Sequence, residues 1–149
     1  MKIAIGSDHG GLELKNNLVN YLVQQGHEVR DFGTYTNESC DYPDFAYPAC
    51  KSLSKGEVER AIVICTTGIG VSIVANKVKG VRCSLVTNVS DARLTREHNN
   101  ANCLALGAKN VTFELAKKIT DTWLQTAFSG GRHLRRVEKI KKIEEKENE

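Results

Sequence analysis

The chain has 149 residues, of which 40% are hydrophobic and 26% charged, and its formal net charge is +3. This length fits one domain with an ordinary core over residues 1–149. The charge is too small and too interspersed to indicate nucleic-acid binding. No run of about 18 apolar residues is present, so we expect no membrane span. No signal-peptide core follows Met1, so we also expect a cytoplasmic protein.

Apolar patterning predicts five strands that alternate with helices. The strands are expected at residues 2–7, 27–32, 61–65, 81–86 and 102–106. The helices are expected at residues 14–22, about 43–54, 71–76, about 89–100, 112–128 and about 132–147. This order predicts an α/β fold, in which a parallel sheet carries helices on both faces.

Three helices carry further signals. Asp41-Tyr42-Pro43-Asp44 suggests a helix start with a capping carboxylate and Pro43 in the first turn. Asn88 is expected to cap the fourth helix. The C-terminal helix has a narrow apolar stripe, which suits packing on its own domain or on a partner subunit equally well.

The stretch from residue 61 to 76 joins a strand, a glycine-rich turn and a helix start. Ile62 and its neighbours have the wholly apolar pattern of a strand buried on both faces. The following turn offers backbone N–H groups and a helix N-terminus, which favour an anion. Cys65 ends the strand, so we interpret it as a base or nucleophile beside an oxyanion site. The open alternative is a small buried core cysteine.

Familiar nucleotide and phosphate motifs are incomplete here. Gly68-Ile69-Gly70 begins a dinucleotide fingerprint, but Ile73 stands where its third glycine belongs. No Gly-Lys-Ser/Thr follows, so the loop is not that of a nucleotide hydrolase. Low-molecular-weight cysteine phosphatases need an arginine where this chain has Val71, which disfavours phosphate hydrolysis through Cys65.

Polar residues near the strand ends and the late helices can bind a phosphorylated ligand. Ligands of parallel sheets bind at the carboxyl ends of the strands, so we expect a site there. Residues 98–100 follow a helix instead, and reach either this edge or a neighbouring subunit. Each candidate also has a structural alternative as a turn, a helix cap or an exposed basic face. The candidates are Asp8, His9, residues 65–70, Asn88, His98, Asn99, Asn100, Arg132, His133, Arg135 and Arg136.

The five cysteines form no Cys-x-x-Cys pair. Cys65, Cys83 and Cys103 lie in or at the ends of apolar runs, as reduced core thiols do. We therefore expect neither a disulfide framework nor a zinc site.

Six segments stand out as a set: Gly6-Ser7-Asp8-His9-Gly10-Gly11, Asp41-Tyr42-Pro43-Asp44, Cys65-Thr66-Thr67-Gly68-Ile69-Gly70, Ala75-Asn76-Lys77, Arg96-Glu97-His98-Asn99-Asn100-Ala101-Asn102 and Gly130-Gly131-Arg132-His133. In order and spacing, from residue 1 to about residue 143, the chain resembles the type B ribose-5-phosphate isomerases. The wider family includes the allose- and galactose-6-phosphate isomerases.

The resemblance implies a Rossmann-like three-layer α/β/α sandwich with a five-stranded parallel sheet and an extra C-terminal helix. It implies an aldose–ketose isomerase of the non-oxidative pentose phosphate pathway, which interconverts ribose 5-phosphate and ribulose 5-phosphate without metal or cofactor. It also implies a homodimer or a dimer of dimers, with active sites between subunits.

Roles for individual residues follow from the same resemblance. Cys65 would move the proton between C2 and C1, and His98 would open the furanose ring. The enediolate oxygen would be held by loop N–H groups from Thr67 through Gly68 and Ile69 to Gly70, with the Thr67 hydroxyl assisting. Asp8 and Asn99 would bind sugar hydroxyls. The phosphate would be held by His9, Arg132 and Arg136.

Two positions depart from the family pattern. Thr66 stands where the family usually has glycine, and Lys109 stands where arginine is common. Lysine keeps the charge but loses the bidentate fork of arginine. Both residues remain predicted substrate contacts.

Three other functions stay open from the sequence. A six-carbon substrate, allose or galactose 6-phosphate, is the alternative within the same class. A sugar-phosphate-binding module without turnover would need the arginines and loop amides, but neither the thiol nor the ring-opening histidine. A redox-sensing thiol protein built on Cys65 lacks a nearby resolving cysteine.

Overall fold

The computed structural model describes residues 1–148 and shows five parallel strands between two layers of helices. The elements are β1 (Lys2–Ser7), a 3-10 turn (His9–Gly11), α1 (Leu12–Gln24), β2 (Glu28–Asp31), α2 (Pro43–Ser54), β3 (Arg60–Cys65), α3 (Ile69–Ala75), β4 (Cys83–Leu85), α4 (Val89–Asn99), β5 (Cys103–Gly107), α5 (Phe113–Gln125) and α6 (Arg132–Glu147). The predicted three-layer α/β/α fold with an extra C-terminal helix is confirmed.

Strand β3 lies at the centre of the sheet, whose order is β2-β1-β3-β5-β4. It pairs with β1 on one side and β5 on the other, and its last five residues are buried. Helix α1 packs on one face of the sheet and α3 on the other. The chain therefore reverses its winding between β1 and β3, and the crevice above such a reversal is where these sheets bind ligands.

Alternating side chains of β3 divide the core in two. Ile62 and Ile64 face the cluster formed with α1, α4 and α5, which includes the fully buried Trp123. Val63 and Cys65 face the cluster formed with α2 and α3. The reactive thiol predicted at Cys65 thus ends the face that α2 and α3 cover.

Several predicted boundaries move by a few residues. The expected carboxylate cap of α2 is wrong, since Tyr42 occupies the cap position and makes no side-chain cap bond. Pro43 does open the helix, because its fixed φ suits the first turn. Helix α5 ends at Gln125, short of residue 128, because Thr126 is extended and its carbonyl accepts from Arg96 Nε at 3.1 Å.

Helix α6 follows two glycines with positive φ and packs against α4. Its Val137 is buried, whereas Leu134, Ile140 and Ile143 are exposed. Within residues 1–148, no helix combines the length and apolar character needed to cross a membrane.

Candidate active site

The turn between β3 and α3 requires glycine at position 68. Gly68 has φ +78°, in the left-handed region that side chains disfavour. A Cβ there would lie 2.8 Å from the Leu106 carbonyl carbon and 2.9 Å from the Gly107 nitrogen. The turn is therefore pressed against the end of β5, and only glycine permits this contact.

Cys65 is 5% exposed, and its sulfur already has a donor aimed at it. The Gly68 N–H donates to Sγ at 3.2 Å, while the Cys65 carbonyl accepts from the Ala108 N–H at 2.9 Å. The backbone around the thiol is thereby fixed on both sides. A fixed sulfur with a donor aimed at it suits a group that would exchange a proton with a bound substrate.

The N–H groups predicted to hold the oxyanion differ in whether they already have an acceptor. The Ile69 N–H donates to the Thr67 hydroxyl at 3.2 Å, and the Gly68 N–H is used by the thiol. The Gly70 N–H lies in the first turn of α3 and has no acceptor within that helix. Gly70 is thus the turn donor best suited to a developing oxyanion.

Asp8 and His9 lie at the end of β1, beside the Cys65 turn. The Asp8 N–H donates to the Ile64 carbonyl at 3.3 Å, which joins the ends of β1 and β3. Asp8 Oδ1 accepts from the Gly10 and Gly11 N–H groups at 3.0 and 3.2 Å. Both bonds use Oδ1, so neither involves Oδ2.

The His9 ring is oriented by the loop that precedes α2. Its Nδ1 accepts the Cys40 N–H at 3.2 Å. A neutral His9 therefore carries its proton on Nε2, where it can donate to an anion.

Thr66 and Lys109 flank a cavity on the α1 side of the turn. The Lys109 N–H donates to the Thr66 carbonyl at 2.9 Å, and a Cβ at position 10 would collide with the Thr66 hydroxyl. The cavity has a volume of about 380 Å³ and is lined by Gly10, Glu13, Leu14, Asn17, Thr66, Ala108, Lys109, Val111 and Phe113. Cys65 is not part of its lining, so the cavity adjoins the thiol and does not contain it.

His98, Asn99 and the start of α6 lie at the other end of the strands from Cys65. Helix α4 runs back along the sheet, and Asn99 at its end accepts from Arg82 Nε at 3.2 Å. Arg82 directly precedes β4, which places the end of α4 at the amino ends of the strands. His98 belongs to this last turn, and its ring stacks on that of His133 from α6. Six residues of β3 span about 17 Å, so one chain does not bring Cys65 and His98 together.

Arg132 and Arg136 are exposed at the start of α6, close in the chain to His133. Neither takes part in an ion pair within residues 1–148. Two guanidinium groups four residues apart on one helix can share a phosphate. The His133 pKa is lowered by desolvation against its neighbours, then by the positive charges of His98 and the two arginines.

Asn88 and Asn100 have structural roles. The Asn88 side chain caps α4 by accepting the Asp91 N–H at 2.8 Å, as predicted. Asn100 ends the same helix in the left-handed conformation, at φ +48°. Among residues 1–148, no three or more His, Cys, Asp or Glu side chains are grouped to hold a metal ion.

Two contacts in the candidate site were not predicted from the sequence. The Tyr42 ring lies against Gly70, where a Cβ would come within 2.6 Å of the ring. The stack of His98 on His133 joins residues far apart in the chain, so no local spacing could have indicated it.

Comparison with known proteins is consistent with this geometry. Residues 3–140 match the model of the Ribose/Galactose Isomerase family. Ribose-5-phosphate isomerase B of Escherichia coli is 46% identical, over 99% of each chain. The solved Clostridium thermocellum Ribose-5-Phosphate Isomerase B is 55% identical with a TM-score of 0.96, covering 98% of this chain and 99% of that one.

A further solved structure is that of Ribose-5-phosphate Isomerase B from Mycoplasma genitalium with bound ribulose-5-phosphate. It is 42% identical with a TM-score of 0.94, and the match covers 97% of this chain and 96% of that one. The family match, the sequence identities and the shared fold agree across nearly the whole chain. The chain belongs to the ribose/galactose isomerase family.

Proposed function

We propose that this chain interconverts ribose 5-phosphate and ribulose 5-phosphate as an aldose–ketose isomerase. The observation that carries the proposal is the nearly buried Cys65 sulfur, which accepts the Gly68 N–H at 3.2 Å beside the Asp8 turn. Relatives of closely similar length bear this enzyme's name, and one was solved with ribulose-5-phosphate bound. A pure binding module would have no need of a thiol in this position.

The chemistry requires a base and an oxyanion site together. The Cys65 thiolate takes the proton from C2 of the open-chain aldose, and the electron pair forms the C1–C2 double bond of an enediolate. Negative charge develops on O1, where the Gly70 N–H and the Thr67 hydroxyl stabilise it. The O2 proton passes to O1, the thiol returns its proton to C1, and C2 becomes the carbonyl. The number of protons is unchanged, and no oxidant or metal is required.

We propose that each active site is built from two subunits. The resemblance assigns ring opening to His98. His98 lies near the amino ends of the strands, about 17 Å from Cys65 at the carboxyl ends, and a pentose phosphate does not extend that far. A second copy that presents its own α4 end and α6 start would complete the site. The exposed Ile69 and Ile73 on α3 and Ile143 on α6 supply apolar surface for such a contact. The assembly is a homodimer or a dimer of dimers.

The phosphate has donors on both sides of this proposed interface. His9 Nε2 and the Lys109 ammonium lie near the Cys65 turn, while Arg132 and Arg136 come from the second subunit. Remote phosphate binding orients the reacting carbons and contributes to catalysis. Because a sugar phosphate is charged and does not cross membranes freely, we place the reaction in the cytoplasm.

The test is conversion of ribose 5-phosphate by the purified protein, with and without EDTA. We expect turnover that survives EDTA, is abolished in Cys65→Ala and is retained in the control Cys83→Ala. Turnover restricted to allose or galactose 6-phosphate would replace the proposed substrate. Tight binding of sugar phosphates without any turnover would replace the enzyme with a binding module.

A further inference from the structure

The His98 and His133 rings form a parallel stack at the surface. Their centroids lie 4.3 Å apart and their planes differ by 13°. His98 is in the last turn of α4, whereas His133 is in the first turn of α6. A parallel stack at this distance restricts both side-chain torsions of an otherwise exposed histidine.

The segment between α5 and α6 is shaped to bring the two rings together. Gly130 and Gly131 have φ of +69° and +58°, which glycine adopts without strain. The Ser129 N–H donates to the Glu97 carbonyl at 3.1 Å, which attaches the segment to the last turn of α4. Helix α6 has other anchors, the buried Val137 and the Gly80 N–H bond to Glu144 at 2.9 Å. Helix α6 therefore has contacts with the rest of the domain besides the stack.

The electrostatic surroundings distinguish the two rings. His98 lies at the carboxyl end of α4, where the helix dipole favours a cation. His133 lies at the amino end of α6 beside Arg132 and Arg136, and its pKa is lowered. Glu97 on α4 is the acidic group that opposes this shift. The positive charges beside His133 thus disfavour its protonated form.

We propose that His133 is a positioning residue, whose stacked ring holds the His98 imidazole in the orientation needed to open the furanose ring. The proposal rests on the proposed function, in which His98 performs this step. In ring opening, the C1 hydroxyl loses a proton, the bond from C1 to the ring oxygen breaks, and the ring oxygen gains a proton. His98 takes one proton and returns one, and both oxygens are bonded to C1, so the imidazole nitrogen that moves the proton must face C1.

The experiment compares His133→Ala, His133→Phe and the control Lys141→Ala, which changes an exposed residue of the same helix. His133→Ala should lower kcat/KM for ribose 5-phosphate by about 10- to 100-fold, because misplacing a catalytic group by about 1 Å has this scale of effect. His133→Phe keeps a flat ring in place and should stay within about threefold of the native rate. Lys141→Ala should match the native protein.

A substrate deuterated at C2 separates positioning from a structural defect. If ring opening limits His133→Ala, its kinetic isotope effect on kcat should fall close to one, since that step breaks no C2 bond. A loss of folded protein would lower the rate and leave the isotope effect unchanged. The proposal is overturned by native rates in His133→Ala, by equal losses in Ala and Phe variants, or by an undiminished isotope effect. Absence of turnover in the native protein would instead refute the proposed function.

Discussion

Cys65 and His98 lie at opposite ends of the strands of the same sheet, although both are predicted to act on one sugar. Cys65 ends β3, and His98 lies in the last turn of α4, which runs back to the amino ends of the strands. The separation follows from strand and helix directions alone, so side-chain rearrangement cannot remove it. The separation divides the candidate residues into two groups. The group at Cys65 offers the proposed base and oxyanion donors, and the group at His98 offers the proposed ring-opening histidine and two arginines.

The first prediction is complementation between two inactive variants. Cys65→Ala and His98→Asn should each lose most activity on ribose 5-phosphate when assayed alone. When the two are mixed after dissociation, half of the dimers are mixed, and each has one intact site, so about a quarter of native activity should return. Two copies of the same variant provide the control. No recovery in dimers shown to be mixed would contradict a site shared between subunits.

The second prediction concerns the conformation of the Cys65 turn. Gly68→Ala should lower kcat by at least about 100-fold, because the new Cβ displaces the N–H that bonds the sulfur and disturbs the oxyanion site. Gly26→Ala is the matched control, since Gly26 also has positive φ, at +91°, but has nothing within 4 Å. It should cost about 1–2 kcal/mol of stability and leave kcat unchanged. Equal effects on kcat would contradict the prediction.

The sequence predicted the elements better than their assembly. The buried run ending at Cys65 and the glycine punctuation identified the central strand and the turn, because these signals are local. The predicted carboxylate cap of α2 was wrong, because Tyr42 and not Asp41 occupies the cap position. The sequence showed a carboxylate near the helix start but not the residue at which the helix begins. The direction in which α4 presents His98 depends on the whole sheet, and no spacing in the sequence encodes it.

The contacts that orient the candidate site were also hidden in the sequence. Cys40 orients His9 through a backbone N–H, which no side-chain motif reports. His133 reaches His98 through the α5–α6 connection, whose glycines indicated only a turn. Residue types indicated the chemistry, whereas long-range packing determines the tautomer and the ring orientation.

The third prediction concerns Arg96, which supports the end of α4. Its guanidinium donates to the Thr126 carbonyl at 3.1 Å, Asn100 Oδ1 at 2.8 Å and the Ala101 carbonyl at 2.9 Å. Burial, then the charges of Arg60 and Arg82, lowers its pKa to about 10. Arg96→Lys keeps a cation but cannot span three acceptors, so it should cost about 2–3 kcal/mol of unfolding free energy in urea. The exposed Arg93→Lys should cost under about 0.5 kcal/mol.

The fourth prediction is a pH dependence that Tyr21 gives to stability. Its hydroxyl donates to Asp121 Oδ2 at 2.5 Å and joins α1 to α5; this bond, then burial and the carboxylate charge, raises the Tyr21 pKa to about 12. An unfolded tyrosine ionises near pH 10. The folded protein therefore retains a proton that the unfolded chain releases, and this part of the stability is complete below pH 10 and is lost towards pH 12.

Tyr21→Phe lacks the hydroxyl, so the stability advantage of the native protein over this variant should shrink across that interval. Urea unfolding of both proteins at several pH values measures the difference, and contributions common to both, such as that of Arg96, cancel. An advantage that stays constant from pH 9 to pH 12 would show that the bond does not hold the proton.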